Sequence, residues 1–83
     1  MKLCVFDIEA DGLNPTKIYC LTASIYSQGE WRQKSTTDYD EMRKFFLSAD
    51  VLVGHNIARW DIPVVERILD IKITAKIRDT FFS

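Results

Sequence analysis

The apolar stretch at the start of the chain constrains the fold more than any other feature. Between Lys2 and Ile8 both alternating sets of side chains are apolar, with Leu3 and Val5 in one set and Cys4, Phe6 and Ile8 in the other. A strand covered by other elements on both faces shows this pattern, whereas a strand with one face in water alternates apolar and polar residues. The stretch therefore predicts a central strand, buried on both faces.

Six further elements are predicted downstream. Two strand-like segments at 18–27 and 31–36 are separated by a very short connection, which favours an antiparallel hairpin. The remaining four are a helix from Thr37 or Asp38 to about Ala49, a short buried strand at 51–53, a helix opening at 61–63 and a strand at 71–77. Asp79 and Thr80 look like the opening of one more helix, whose first turn carries Phe81 and Phe82.

The resulting order, β-β-β-α-β-α-β, defines a fold class. Three antiparallel strands come first, and right-handed helical crossovers then add parallel strands. This is a mixed-sheet α/β architecture of the ribonuclease H-like kind. The 83 residues suffice for one domain, and we expect them to be the N-terminal portion of it, incomplete at the C-terminus. Ligands of such sheets bind at the carboxyl ends of the strands.

Charge and apolar patterning limit the possible partners. Lys and Arg number 11 against 12 Asp and Glu, so the chain lacks the strongly basic balance of proteins that bind nucleic acid by charge alone. Bound cations can supply that attraction instead, and an acidic site can then face phosphates. The apolar run at 3–6 is too short for a signal sequence or a membrane-spanning helix. We therefore expect no membrane partner and a cytoplasmic location.

Asp7 and Glu9 are the first candidate site residues. They lie two residues apart at the end of the first predicted strand, so their carboxylates point to the same side. Two adjacent carboxylates repel unless a cation joins them, and Mg²⁺ prefers such oxygen ligands. The pairs Glu9/Asp11 and Asp38/Asp40 have the same spacing but do not end a buried strand. The position of Asp7 and Glu9 at the strand end, and not their spacing, is therefore what indicates a cation site.

A second cluster follows the short predicted strand at 51–53. If that strand lies parallel to the first, His55, Asn56 and Asp61 arrive beside Asp7 and Glu9. Each has an alternative role. Asp61 precedes Ile-Pro and could be an ordinary helix N-cap, His55 could be a hydrogen-bonded structural residue, and Asn56 could hold the loop.

These residues carry a resemblance to a known family. Phe-Asp-Ile-Glu-Ala-Asp-Gly-Leu at 6–13 resembles the D-x-E motif of the DEDD superfamily of 3′–5′ exonucleases, and His-Asn-Ile-Ala-Arg-Trp-Asp at 55–61 resembles its second motif, N-x₃-(F/Y)-D, with Trp60 in the aromatic place. Ile-Arg-Asp-Thr at 77–80 is similar to the segment that follows the second motif. The nearest likeness is to the N-terminal proofreading domain of phage family A DNA polymerases, which would place the chain in a bacterium or a phage-infected host cell.

The resemblance implies a role for each matching residue. Asp7 would bridge two Mg²⁺ or Mn²⁺ ions, Glu9 would hold the ion that activates the attacking water, and Asp61 would support the second ion. Leu13 would pack against the terminal base and Asn56 would touch the terminal nucleotide at a single-stranded DNA 3′ end. His55 would contact these residues rather than the metal ions or the substrate.

The sequence departs from the family in one important respect. A DEDD site needs a fourth acidic residue with a Tyr or His shortly before it, and nothing after Asp61 fits that description. We therefore expect the isolated chain to have little or no exonuclease activity and to belong with a polymerase domain in a longer product. Two alternatives stay open: a free-standing exonuclease acting on RNA or short oligonucleotides, and a non-catalytic ribonuclease H-like module.

Overall fold

The computed structural model describes residues 1–12 and 14–80. The predicted contact of Leu13 with a terminal base and the predicted helical turn with Phe81 and Phe82 therefore lie outside the described residues. In order, the elements are β1 (Leu3–Ala10), β2 (Ile18–Ser27), β3 (Glu30–Thr36), α1 (Tyr39–Ser48), β4 (Val51–Gly54), a π-helical turn (Ile57–Asp61), α2 (Ile62–Leu69) and β5 (Lys76–Asp79).

The strands form one mixed sheet in the order β3-β2-β1-β4-β5. β1 pairs antiparallel with β2 and β2 with β3, whereas β4 runs parallel to β1 and β5 parallel to β4. Each parallel strand is reached through a helix, as the length of a parallel crossover requires. The predicted order of strands and helices is thus confirmed, with β1 at the centre.

β5 begins later than the apolar pattern predicts. Residues 71–75 were expected to be part of this strand, but they form a connection whose backbone is held by α2. Ile71 donates its backbone N–H to the carbonyl oxygen of Glu66 (3.2 Å), and Ile73 donates to the Glu66 carboxylate (2.9 Å). These bonds satisfy N–H groups that a strand would offer to its neighbour, so sheet pairing starts at Lys76.

The hydrophobic core lies between the sheet and both helices. From β1 it takes Cys4, Phe6 and Ile8, and from α1 it takes Met42, Phe45 and Phe46. The rings of Phe6 and Phe46 meet edge to face, with their centroids 5.0 Å apart. α2 contributes Val64, Val65 and Leu69 to the same cluster. One face of the sheet is therefore covered along its central strands.

The prediction that β1 is buried on both faces is wrong. Both helices pack on the face of Phe6, so in the part of the chain that the structure describes no helix covers the opposite face. We call this opposite surface the open face. It includes Val5, which is 38% exposed, and the neighbouring rings of Tyr26 (39%) and Trp31 (57%), whose centroids are 5.1 Å apart. Apolar side chains on both faces of β1 therefore do not show that helices of this chain pack on both faces.

Among the described residues no helix is long and apolar enough to cross a membrane.

Candidate functional site

Two acidic side chains from distant parts of the sequence come near each other where β1 and β4 end. Val5 pairs with Val53 across the parallel β1/β4 ladder, so both strands run toward the same edge of the sheet. Asp7 lies two residues beyond Val5, exposed on the open face. Asp61 is the last residue of the π-helical turn that follows β4, and it is near enough for the charge of Asp7 to act on it.

Asp61 is the one buried charged side chain among the described residues, at 8% exposure. Burial, and after it the negative charges of Asp7 and Asp79, together raise its pKa from the usual 3.8 to about 6. Both causes disfavour the ionised form. The fold therefore holds a carboxyl group where its charge is costly, which is typical of functional sites.

The local alternative for Asp61, an ordinary helix N-cap, is wrong. An N-cap residue has extended backbone angles and its side chain accepts a backbone N–H from the first turn of the helix, but Asp61 is helical (φ −62°, ψ −47°) and its side chain makes no capping bond. The π-helical turn leads directly into α2, and the backbone N–H of Ile62 already donates to the carbonyl oxygen of Ile57. No cap is needed at this position, so capping does not explain Asp61.

Glu9 extends the acidic edge along β1. It lies on the same face as Asp7, is exposed, and pairs with Cys20 of β2. Within residues 1–12 and 14–80, however, no three His, Cys, Asp or Glu side chains come close enough together to surround a metal ion. The structure thus brings Asp7 and Asp61 together, with Glu9 as a neighbour of Asp7.

Asp11 has a different environment from Asp7 and Glu9. Its carboxylate accepts bonds from the Thr16 hydroxyl (2.6 Å), the Thr16 backbone N–H (2.8 Å) and the Lys17 backbone N–H (3.1 Å). Hydrogen bonding, chiefly from the Thr16 hydroxyl and then from Lys17, lowers the pKa of Asp11 to about 2. Asp11 therefore closes the loop between β1 and β2, and the Glu9/Asp11 spacing does not define an equivalent pair of free carboxylates.

The oxygen ligands at the carboxyl edge of the sheet suit a hard divalent cation. Asp7, Glu9 and Asp61 offer carboxylate oxygens alone, which Mg²⁺ and Mn²⁺ prefer over nitrogen or sulfur. Mg²⁺ usually takes one or two protein carboxylates and completes its shell with water and substrate phosphate, so a site of three close acids is not required. A cation between Asp7 and Asp61 would also relieve their mutual repulsion.

His55 and Asn56 occupy the loop between β4 and the π-helical turn. His55 is exposed, and its Nδ1 lies 3.4 Å from the hydroxyl oxygen of Thr80. Asn56 has a left-handed backbone (φ 58°) and donates its backbone N–H to Asp79 (2.7 Å). The contacts of both residues with the end of β5 agree with structural roles, and contact of Asn56 with a nucleotide stays a prediction.

The roles of two residues in this geometry were not predicted from the sequence. Gly54 ends β4, and a Cβ atom there would collide with the side chain of Ile57 and lie 3.3 Å from the carbonyl oxygen of Phe6. A glycine at the end of a short buried strand is a signal of such close approach. Asp79, expected to open a helix, instead ends β5 and binds the loop of Asn56. Its partners are more than 20 residues away, so no local pattern reveals them.

Comparison with known proteins identifies the family. The chain matches the family model of the RNase H superfamily over residues 4–81, and it belongs to that superfamily. Its five-stranded mixed sheet with two helices is the ribonuclease H-like fold that the element order predicts.

A solved structure, the family B DNA polymerase from the hyperthermophilic archaeon Pyrobaculum calidifontis, matches 96% of this chain with a TM-score of 0.65 and 16% sequence identity. At that identity the likeness concerns the fold, and the chain spans 15% of the polymerase chain. A search of curated proteins finds no match.

Proposed function

We propose that this chain carries the first two acidic motifs of a metal-dependent 3′–5′ exonuclease that removes nucleotides from DNA 3′ ends, in a product that also carries a DNA polymerase domain. The observation that supports this most strongly is the proximity of Asp7 and Asp61 at the carboxyl edge of a ribonuclease H-like sheet. Likeness to a stretch of a DNA polymerase chain agrees with the proposal at the level of the fold.

In this proposal the acids act together at the carboxyl edge of the sheet. Asp7 and Glu9 would hold divalent cations from β1, and Asp61 would add a carboxylate from the end of the π-helical turn. Two bound cations would stabilise both the attacking and the leaving oxygen of a phosphodiester. Asp61 binds a cation once it has lost its proton, so its raised pKa places cation binding in competition with protonation near pH 6.

Basic residues on the same face support a phosphate-bearing substrate. Lys76 and Arg78 of β5 are both exposed, and the register of β5 with β4 and of β4 with β1 places Arg78 on the face of Val53 and Val5. The open face thus has acids where β1 ends and cations on its outer strand, and the cations can attract phosphates that the acids alone would repel.

The activity is tested in the longer product that the proposal requires, which carries a third acidic motif as well as these residues. With Mg²⁺ and single-stranded DNA, Asp7→Ala should lower the rate at which nucleotides leave the 3′ end by roughly 100-fold or more, since even an outer-shell partner of a metal ligand typically costs 10–100-fold. Asp40→Ala, which removes an exposed acid on α1, is the matched control and should leave the rate unchanged.

Equal rates for the parent and Asp7→Ala would refute the metal assignment. Faster degradation of RNA than of DNA would instead support the free-standing exonuclease with an RNA or oligonucleotide substrate.

A non-catalytic ribonuclease H-like module is the second candidate. The observation that favours it is that, among the described residues, no three acidic, His or Cys side chains form a compact group. This candidate predicts no site-specific binding of Mg²⁺ or Mn²⁺, which the proposed exonuclease requires.

A further inference from the structure

The carboxylate of Asp79 binds the turn that carries Asp61. Its Oδ1 accepts the backbone N–H of Asn56 at 2.7 Å, and its Oδ2 accepts the backbone N–H of Ala58 at 2.8 Å. Bonds from backbone N–H groups to a carboxylate are shorter and about twice as strong as neutral ones. Both oxygens of Asp79 are therefore engaged by one short segment of chain.

These two N–H groups need an acceptor from elsewhere. Asn56 stands at the start of the π-helical turn with left-handed backbone angles (φ 58°, ψ 28°), and its own side chain makes no capping bond. The first N–H groups of any helical turn have no acceptor within the turn. Asp79 supplies from β5 the cap that the turn lacks.

The sheet places Asp79 correctly for this contact. Asp79 pairs with Gly54 in the parallel β4/β5 ladder, and the backbone N–H of Thr80 donates to the carbonyl oxygen of Gly54 at 3.0 Å. Gly54 is the last residue before the loop. The end of β5 therefore binds both the start of the loop, through Gly54, and the π-helical turn, through Asp79. At its other end the turn finishes at Asp61.

We propose that Asp79 is a positioning residue of the acidic site: by holding the Asn56–Asp61 turn through two backbone N–H groups, it fixes the Asp61 carboxylate beside Asp7. The cation-binding part of this inference rests on the proposed function, whereas the effect of Asp79 on the turn does not.

The test compares Asp79→Ala and Asp79→Asn with a control at the opposite end of β4. Asp50 accepts the backbone N–H of Lys2 at 2.7 Å, so Asp50→Ala also removes a carboxylate–backbone bond, but away from the acidic edge. Two quantities are measured on the folded 83-residue chain: ¹⁵N order parameters of residues 56–61, and the Kd for Mn²⁺ from broadening of the Asp7 and Asp61 signals.

Asp79→Ala should lower the order parameters of the turn to below about 0.6, the range of flexible backbone. It should raise the Kd for Mn²⁺ on the order of tenfold, as loss of a residue that orients a ligand does. Asp79→Asn keeps one acceptor oxygen and should give smaller changes in both quantities. Asp50→Ala should lower the free energy of unfolding because it removes the bond to Lys2, but it should change neither quantity in the folded protein.

The inference is overturned if the turn stays as ordered in Asp79→Ala as in the parent, or if Asp50→Ala raises the Kd as much as Asp79→Ala does. Absence of Mn²⁺ binding in the parent would refute the proposed function, and the order parameters alone would then decide whether Asp79 fixes the turn.

Discussion

At the scale of single residues, Asp61 shows how the fold changes the meaning of a local pattern. Asp before Ile-Pro is typical of a helix N-cap, yet the residue is helical, buried and next to another acid. Its position near Asp7 follows from the parallel alignment of β1 and β4, which the sequence predicts from apolar runs. Its burial and its raised pKa depend on the π-helical turn, which no sequence pattern indicated.

The raised pKa of Asp61 predicts a pH-dependent stability. Its pKa is about 6 in the fold and near the usual 3.8 in the unfolded chain, so between these values the folded state binds more protons. The free energy of unfolding should therefore fall as the pH rises from about 4 to 6, and stay lower above that range. Asp61→Asn removes this effect and should be more stable than the parent at pH 8 by on the order of 2 kcal/mol.

Urea unfolding in metal-free buffer at pH 4, 6 and 8 measures this difference. The advantage of Asp61→Asn should be smallest at pH 4 and largest at pH 8. An advantage of Asp61→Asn that is equal at all three pH values would contradict the account.

At the scale of elements, the contact between β4 and the π-helical turn depends on Gly54. The side chain of Ile57, which is almost completely buried, lies where a Cβ atom of residue 54 would be. Packing this close brings the turn directly onto the strand end, and Asp61 follows four residues later along the same turn.

Gly54→Ala should therefore destabilise the fold by about 1–3 kcal/mol, as overpacking of a core does. Ile57→Ala should also destabilise it, because it leaves a cavity. In the double variant the smaller residue 57 makes room for the added methyl group, so the total loss should be smaller than the sum of the two single losses. Additive losses in urea unfolding would show that the two residues do not compete for the same space.

Most elements could be predicted because their signals are local. The Asp38 cap of α1 is an example: its carboxylate accepts the backbone N–H of Asp40 at 2.9 Å, as the sequence indicates. The errors concern long-range packing. Apolar residues in both sets of β1 could not show that α1 and α2 share one face, and Ile71 and Ile73 could not show that Glu66 binds their N–H groups. The role of Asp79 was missed for the same reason, since its partners come from another element.

At the scale of the whole molecule, the two faces of the sheet have different compositions. One face packs against α1 and α2 and supplies the core. The open face has the acids of β1, the rings of Tyr26 and Trp31, and the cations of β5. Asp7 and Glu9 are exposed because they lie on this open face, so a cation or a phosphate can reach them directly.

The central claim, that Asp7 and Asp61 form a divalent cation site, is tested most directly by titrating the 83-residue chain with Mn²⁺ at pH 7.5 or so and following its NMR signals. The account predicts early broadening at the end of β1 and at residues 55–61, and loss of that broadening in Asp7→Asn. Asp38→Asn, which alters an acid pair of the same spacing outside the site, should leave it unchanged. Broadening that is absent, or that persists unchanged in Asp7→Asn, would contradict the account.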